Sequence, residues 1–251
     1  MQVDVVASVA EARTEDLQNK TVVVVDVLRA TSVMVTALVH GAHCIVPVET
    51  VQQARQSQEP GDLLAGERFC KRISGFDLGN SPLEYVPERV SGRRIVLTTT
   101  NGTRAMHKTG KASHVLAGSL LNASACVSSA LALRRDIVIL CAGTQDVFSL
   151  EDGLCSGLLA HRLLEGSEEA VELNDLAIAM LSAYRGVEHR LREAVLTCTN
   201  GRKMIRLGFH EDIDYCIDID RHPIAPILTG NTLIADVPNP DRPSSNPVPR
   251  S

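Results

Sequence analysis

The sequence predicts an α/β fold built from parallel β-α units, with a site in the crevice at the carboxyl ends of the strands. Short aliphatic runs alternate with helix-like segments over residues 21–166, and parallel strands need such crossover helices. Polar loops follow the runs, and the loops after the strands carry the chemistry in folds of this class. At 251 residues, 44% of them apolar, the chain can also bury a large core.

The elements follow from local patterns. Runs rich in Val, Ile and Leu predict strands, in chain order at 21–27, 42–48, 62–67, 93–99, 113–118 and 136–143. Apolar spacing and capping residues predict helices, at 30–41, 49–61, 101–110, 122–135 and 149–166. Residues 67–93 predict a long irregular loop, and residues 172–218 a mostly helical region. We expect one catalytic unit over 1–235, which could divide into two lobes of about 1–90 and 91–235, and a proline-rich tail over 236–251.

The composition narrows the class of partner. A net charge of −5 and 3% aromatic residues argue against a nucleic-acid binder, which needs basic stripes and stacking platforms. No apolar run reaches the ~18 residues of a membrane-spanning helix, and the N-terminus lacks the pattern of a secretion signal. Seven scattered cysteines indicate no disulfide framework. We therefore expect a cytoplasmic protein with a small-molecule partner; whether it forms a homo-oligomer is left open.

The stretch LTTTNGTRA, residues 97–105, ends a predicted strand with more polar groups than a turn needs. Its hydroxyls, amide and backbone N–H groups can donate to anionic oxygens, and its guanidinium suits a phosphate bidentately. We predict a phosphate cradle made by Thr99, Thr100, Asn101, Gly102, Thr103 and Arg104. The alternative is an ordinary helix N-cap with a solvated arginine.

Two charged residues follow the first predicted strand, in VVVVDVLRATS. Asp26 closes a run of four valines, where a carboxylate can hold a divalent cation or attack phosphorus. A charge in such a place is costly without a partner, although Asp26 could also cap the following turn. Arg29 lies near the predicted helix start, where it could bind an anion or lie on the surface.

Further candidates lie in the long loop and at a later helix start. Glu67 is a candidate metal or water-positioning carboxylate, or the partner of an internal salt bridge with Arg68 or Arg72. Glu151 or Asp152 could ligate a metal. Alternatively, both could complement the helix dipole, and Ser149 with Asp152 could form a capping box. The candidate substrate-binding residues here are Arg68 and Asn80, and the candidate metal ligands are Asp26, Glu67, Glu151 and Asp152.

With these loops together, the sequence resembles the 2-phosphosulfolactate phosphatase family, the ComB-like proteins of coenzyme M biosynthesis. The matching stretches span roughly residues 20–160, with weaker likeness in DIDYCIDIDRHPIAP. GFDLGNSP and TTTNGTRA are the most specific, because generic turn chemistry explains neither. The other matching stretches are VVVVDVLRATSVMVTAL, LLAGERFCKR, AGSLLNASA and ILCAGTQDVFSLEDGLCSG.

The resemblance implies a cytosolic, magnesium-dependent hydrolase that releases phosphate from 2-phospho-3-sulfolactate and leaves sulfolactate. It also implies two related lobes with the site between them. The residues and the resemblance together predict a mechanism in which Mg²⁺ is held by Asp26 with Glu67 or Asp152. Arg29 and Arg104 would bind the negative charge that develops on the phosphate. Arg68 or Lys71 would bind the sulfonate. Water attack and a phosphoaspartate on Asp26 both remain open.

Two other functional interpretations are open. The same fold could act on another small phosphorylated hydroxy acid, because both substrates present the same phosphate. A non-catalytic module that binds phosphate or sulfonate would need the anion loop but not the carboxylates, which repel an anion unless a metal intervenes.

Overall fold

The computed structural model describes residues 1–236. The strands are β1 Gln2–Val6, β2 Thr21–Val25, β3 Cys44–Pro47, β4 Leu63–Arg68, β5 Lys71–Arg72, β6 Arg94–Thr98, β7 His114–Gly118, β8 Ile137–Cys141, β9 Glu172–Leu173, β10 Ala225–Thr229 and β11 Thr232–Asp236. The α-helices are α1 Ala30–Val39, α2 Val51–Gln56, α3 Pro87–Val90, α4 Gly102–Lys108, α5 Ala123–Ala132, α6 Leu150–Gly166, α7 Asp175–Val187, α8 Leu191–Thr197, α9 Thr199–Arg206 and α10 His210–Cys216. Short 3₁₀ turns lie at Pro82–Glu84, Leu120–Asn122 and Glu188–Arg190.

The strands form one sheet in the order β5-β4-β6-β3-β11-β10-β7-β2-β8-β1-β9. Two sets within it are parallel: β4, β6 and β3 form one, and β7, β2, β8, β1 and β9 form the other. The hairpin of β10 and β11 lies between the sets and pairs antiparallel with both. The α/β class is therefore confirmed.

The central strand β2 is buried over its whole length because both faces of the sheet are covered. Val22 and Val24 belong to one core cluster, which includes apolar residues of α1. Val23 and Val25 belong to the cluster on the other face, with residues of α5 and α6. Burying a valine stabilises a fold by about 1.5–3 kcal/mol, so this run fixes β2 and the loop that follows it.

The register places several loops together. Val25 pairs with Gly118 of β7 and with Cys141 of β8, so the loops after these three strands begin at the same level. The loop after β6 also reaches this region, although three antiparallel pairings separate the two parallel sets. The start of α4, which follows this loop, lies against the loop after β2: a Cβ atom on Gly102 would lie 2.7 Å from Asp26 Oδ2.

The two predicted lobes stay a prediction. The single sheet runs through both sequence halves: β2 pairs with β7 and β8, and β6 pairs with β3 and β4. Neither parallel set therefore coincides with residues 1–90 or with residues 91–235. The predicted tail begins at Asp236, the last residue of β11, and residues 237–251 lie outside the described part of the chain.

Most predicted elements are confirmed with shifted ends. The first predicted helix begins at Ala30 as expected and ends at Val39, short of Gly41. The predicted loop over 67–93 contains β5, a 3₁₀ turn and α3. Strands β1 and β9 and the β10–β11 hairpin were not predicted. Within residues 1–236, none of the helices is long and apolar enough to cross a membrane.

Candidate active site

Asp26 stands directly after β2 and is 7% exposed. Its Oδ1 accepts a hydrogen bond from the Ala30 N–H at 3.0 Å, and the Thr31 hydroxyl donates to its backbone oxygen at 2.9 Å. Asp26 therefore does cap the turn into α1, as one sequence interpretation expected. Its other oxygen faces Gly102 at the start of α4: a Cβ atom on that glycine would lie 2.7 Å from Oδ2.

The environment of Asp26 raises its pKa to about 7. Burial is the main cause, and the negative charges of Glu67 and Glu151 add to it. The hydrogen bond from Ala30 and the positive charge of Arg29 act in the opposite direction. Asp26 is thus a carboxylate whose ionisation depends on what else occupies its surroundings, a property that clusters at functional sites.

A crevice of about 70 Å³ opens beside Asp26. It brings together residues from the loops after β2, β4, β6 and β8 with residues of α9. The polar side chains that line it are Asp26, Arg29, Glu67, Asn80, Thr99, Thr100, Asn101, Thr144, Gln145, Asn200 and Lys203. Four of these were not predicted as site residues: Thr144, Gln145, Asn200 and Lys203. Thr144 and Gln145 lie in the loop after β8, and nothing in the helical region over 172–218 links Asn200 and Lys203 to the polar loops.

The Thr-rich loop uses most of its polar groups within the protein. The Thr99 N–H donates to Thr103 Oγ1 at 3.2 Å, and the Thr103 N–H donates to Thr99 Oγ1 at 3.2 Å. Thr100 donates to Glu67 Oε1 from its N–H at 3.0 Å and from its hydroxyl at 2.8 Å. The capping interpretation therefore accounts for Thr99 and Thr103, while Thr99, Thr100 and Asn101 also line the crevice.

Arg104 lies apart from this crevice. Its side chain is 46% exposed and forms an ion pair with Asp146, and Arg104 does not line the crevice. The first turn of α4 carries it outward, as the solvated alternative expected. Its predicted contact with the phosphate stays a prediction to which this geometry gives no support.

Glu67 is held in place by neighbours other than those proposed from sequence. Besides the two bonds from Thr100, its Oε2 accepts the Cys70 N–H at 2.7 Å. The alternative of a salt bridge to Arg68 or Arg72 is wrong for this carboxylate. Arg68 instead donates to the backbone oxygens of Glu67 and Glu49 and to the Thr98 hydroxyl, and it does not line the crevice.

The two acids at the start of α6 are buried and bonded behind the crevice. Asp152 accepts the Val27 N–H at 2.8 Å and the Gly143 N–H at 3.1 Å, which ties the loops after β2 and β8 together. Burial, together with the charges of Glu151 and Asp26, raises the pKa of Asp152 well above its usual value. The predicted capping box is wrong, because the Ser149 side chain makes no capping bond.

Glu151 contacts the crevice indirectly, through Asn200. It is 2% exposed and accepts hydrogen bonds from Asn200 Nδ2 at 3.0 Å and from Cys198 Sγ at 3.1 Å. Asn200 also donates to the Leu28 backbone oxygen at 3.2 Å. Glu151 therefore fixes Asn200, which lines the crevice, and contributes its negative charge to the surroundings of Asp26.

Arg29 is a buried cation, 3% exposed, with a fixed orientation. It forms an ion pair with Asp212 of α10, and its guanidinium lies 4.2 Å from the centroid of the Phe209 ring. The Ser81 hydroxyl donates to the same Asp212 at 2.8 Å. The surface alternative for Arg29 is wrong, and the structure brings it to the crevice beside Asp26.

Asn80 is the residue of the site with an unsatisfied polar atom. It is 8% exposed and lines the crevice, yet its Oδ1 has no hydrogen-bond partner among the described residues. Buried polar groups are nearly always satisfied, so an orphan amide oxygen at a crevice indicates a place where a ligand or its water shell binds.

The oxygen atoms beside the crevice suit a hard cation. Across residues 1–236, no three His, Cys, Asp or Glu side chains come together as a metal cluster, so the predicted set of four carboxylate ligands is not assembled. Mg²⁺, however, is usually held by one or two carboxylates together with water and substrate phosphate. Asp26 and Glu67 line the crevice as such a pair, and the raised pKa of Asp26 indicates that a cation would favour its ionised form.

Comparisons with known proteins agree with the resemblance seen in the loops. A family model described as 2-phosphosulpholactate phosphatase matches residues 6–231. A protein of Caldanaerobacter subterraneus is 43% identical over 217 residues, which cover 85% of this chain and 89% of the relative. Relatives from Symbiobacterium thermophilum, 39% identical over 88% of this chain and 96% of their own length, and from Thermotoga maritima, 41% identical over 86% and 92%, are similar too. All three carry the name "Probable 2-phosphosulfolactate phosphatase".

Proposed function

This chain belongs to the 2-phosphosulfolactate phosphatase family, which makes it a phosphoric monoester hydrolase, and we propose that it hydrolyses 2-phospho-3-sulfolactate to 3-sulfolactate and phosphate with the help of Mg²⁺. One observation carries the proposal. Asp26 and Glu67, which come from different strands, line one crevice with the cations Arg29 and Lys203. Such a mixture of fixed cations and metal-suited carboxylates is what phosphoryl transfer requires.

The cationic side of the crevice binds the phosphate in this proposal. Arg29 is held by Asp212 and by the Phe209 ring, so it loses little freedom when it meets phosphate oxygens. Lys203 approaches from α9 and adds a second positive charge. Fixed donors that face the place where charge develops usually make the largest contribution to the rate of such reactions.

The acidic side of the crevice would hold the metal ion. We assign Asp26 and Glu67 as its protein ligands, because both line the crevice and present oxygen atoms. Mg²⁺, when bound, would neutralise phosphate charge and lower the pKa of a bound water. Thr100 keeps the Glu67 carboxylate oriented through two hydrogen bonds, and Asp152 holds the backbone of the loop that follows Asp26.

The test is phosphate release from 2-phospho-3-sulfolactate and from 2-phospholactate, each with Mg²⁺ and with EDTA. We expect release from the sulfonated substrate with Mg²⁺ and a loss of release with EDTA. Release from both substrates alike would favour a phosphatase for small phosphorylated hydroxy acids in general. Release from neither, with both compounds still bound, would overturn the proposal in favour of a non-catalytic phosphate- or sulfonate-binding module.

The chemical step has two versions that a trapping experiment separates. We favour direct attack of water on phosphorus, with Asp26 as a metal ligand, and acid quench during turnover should then yield no phosphorylated protein. A phosphoryl group trapped on Asp26 would contradict this version. We also propose a role in coenzyme M biosynthesis, which the family resemblance supports, and a cytoplasmic location, which the seven free cysteines support.

A further inference from the structure

A second cavity of about 390 Å³ adjoins the crevice and shares Arg29, Cys70 and Asn80 with it. Lys71 and Arg72 line this cavity and add two positive charges. We propose that it binds the sulfonate of the substrate, while the phosphate occupies the crevice beside Asp26. This inference rests on the proposed function and names the residues that would set its substrate class.

The charge of the cavity suits a strong acid. Arg29 is assigned to the phosphate, so Lys71 and Arg72 supply the positive charge that the sulfonate would meet. Glu84, the acid in this lining, is engaged by the Gly79 N–H, which donates to its Oε2 at 3.0 Å. A sulfonate stays ionised throughout the physiological pH range and offers three acceptor oxygens, so it matches donors of this kind.

The same hairpin carries the groups of both pockets. Strands β4 and β5 pair antiparallel, with Glu67 opposite Arg72 and Arg68 opposite Lys71. The carboxylate assigned to the metal and the cations assigned to the sulfonate are therefore linked through one short hairpin. A fixed separation between the two anion sites selects substrates whose phosphate and sulfonate lie at a matching distance.

Asn80 marks the junction of the two pockets. Its Oδ1 is buried and without a partner among the described residues, although the residue lines both cavities. Rotation of the amide exchanges Oδ1 with Nδ2, so the side chain can donate to an acidic oxygen or accept from a water that bridges to it. A ligand that spans both pockets would satisfy this amide.

Part of the cavity wall is apolar. Leu207 and Phe209 line it, and the Phe209 ring also packs against the guanidinium of Arg29. Such a wall suits the methylene that joins a sulfonate to the hydroxy-acid carbon, whereas two cations without an apolar surface would suit a free inorganic anion equally well.

The test uses the double variant Lys71→Gln/Arg72→Gln. Arg72 donates to the Asp77 backbone oxygen at 3.3 Å, but Arg89 donates to the same oxygen at 2.9 Å, so the loop keeps a contact when Arg72 is replaced. The control, Arg13→Gln/Lys111→Gln, removes the same net charge from exposed positions away from both pockets.

With 2-phospho-3-sulfolactate we expect the KM of the Lys71→Gln/Arg72→Gln variant to rise roughly 10- to 100-fold, the range for losing hydrogen bonds to a charged group. With 2-phospholactate, which lacks the sulfonate, the same variant should match the control. Equal losses with both substrates, or no loss with the sulfonated one, would overturn the inference.

Calorimetric titration with 3-sulfolactate separates failure of this inference from failure of the proposed function, because the compound carries the sulfonate but no phosphate. The wild type and the control should bind it with the same affinity, and the double variant roughly 10- to 100-fold more weakly. If the wild type hydrolyses neither phosphoester, the proposed function fails, yet weakened binding in the double variant would still support the cavity. Equal binding by all three proteins would overturn it.

Discussion

Replacing Gly102 with alanine would place a methyl group where α4 meets Asp26. A Cβ atom at this position would lie 2.4 Å from Ala30 Cβ and 2.7 Å from Asp26 Oδ2. Carbon atoms come into favourable contact near 3.5 Å, so α4 and the loop after β2 would have to separate by roughly 1 Å. The substitution therefore tests whether this close approach sets the position of the carboxylate.

The expected effects follow from that displacement. Overpacking of a filled site costs about 1–3 kcal/mol, which corresponds to a fall in Tm of about 2–12 °C for a protein of this size. A catalytic group misplaced by 1 Å can lower the rate about 100-fold. Thermal unfolding followed by circular dichroism gives the first quantity, and steady-state phosphate release gives kcat/KM for the second.

The matched control is Gly186→Ala near the end of α7. An added Cβ there meets no atom within 4 Å, so alanine should leave activity unchanged and could raise stability by about 0.5–1 kcal/mol. Both variants gain the same methyl group, so the difference between them isolates the contact with Asp26. Wild-type activity and stability in Gly102→Ala would refute the reasoning.

Three further predictions concern charge and protonation. Because the pKa of Asp26 is raised to about 7, kcat/KM at limiting Mg²⁺ should fall as the pH drops below about 7. A higher Mg²⁺ concentration should move the midpoint of the pH–rate profile to lower pH. A midpoint that does not change with Mg²⁺ concentration would contradict this prediction. In urea titrations, Asp212→Asn should lower the free energy of unfolding by about 3–5 kcal/mol, because it leaves the buried Arg29 unpaired, while Asp214→Asn at an exposed pair should lower it by about 1 kcal/mol or less. Burial, with nearby positive charge, lowers the pKa of His222 to about 4, so the unfolded chain takes up the proton at a higher pH than the folded chain does. The free energy of unfolding should therefore fall by roughly 2 kcal/mol from pH 6.5 toward pH 4. The His222→Gln variant should lose less stability over that interval, and an equal loss would contradict the role given to His222.

The central part of the fold was predictable because its signals are local. Fully buried parallel strands read as continuous aliphatic runs, and the β2 segment with its four valines is of this kind. The β10–β11 hairpin was missed although ILTGNTLI carries a signal, since Gly230 and Asn231 form a two-residue turn between paired apolar residues. The sequence signal of strand β1 is weaker, because the strand alternates buried and partly exposed residues and no helix pattern follows it.

The site was predictable one loop at a time, but its internal bonding was not. The sequence points to Asp26, Arg29 and Glu67 because a charged side chain at the end of an aliphatic run is costly to bury without a partner. The partner of Arg29 is Asp212, 183 residues further along the chain, and no local pattern links the two. The polar groups of Thr99 and Thr103 suggested phosphate binding, yet they bond mainly to each other, because a hydroxyl close to a backbone N–H is satisfied locally before a ligand arrives.

The most direct test of the proposed active site is the turnover of 2-phospho-3-sulfolactate by Asp26→Asn in the presence of Mg²⁺. Asparagine keeps an oxygen that can accept the Ala30 N–H, so the fold should survive, and Asp214→Asn serves as the surface control. The account predicts that kcat falls at least about 100-fold, or roughly 2.7 kcal/mol of barrier, with circular dichroism unchanged and the control fully active. Near wild-type turnover by Asp26→Asn would contradict the assignment of this crevice as the place where phosphate is released.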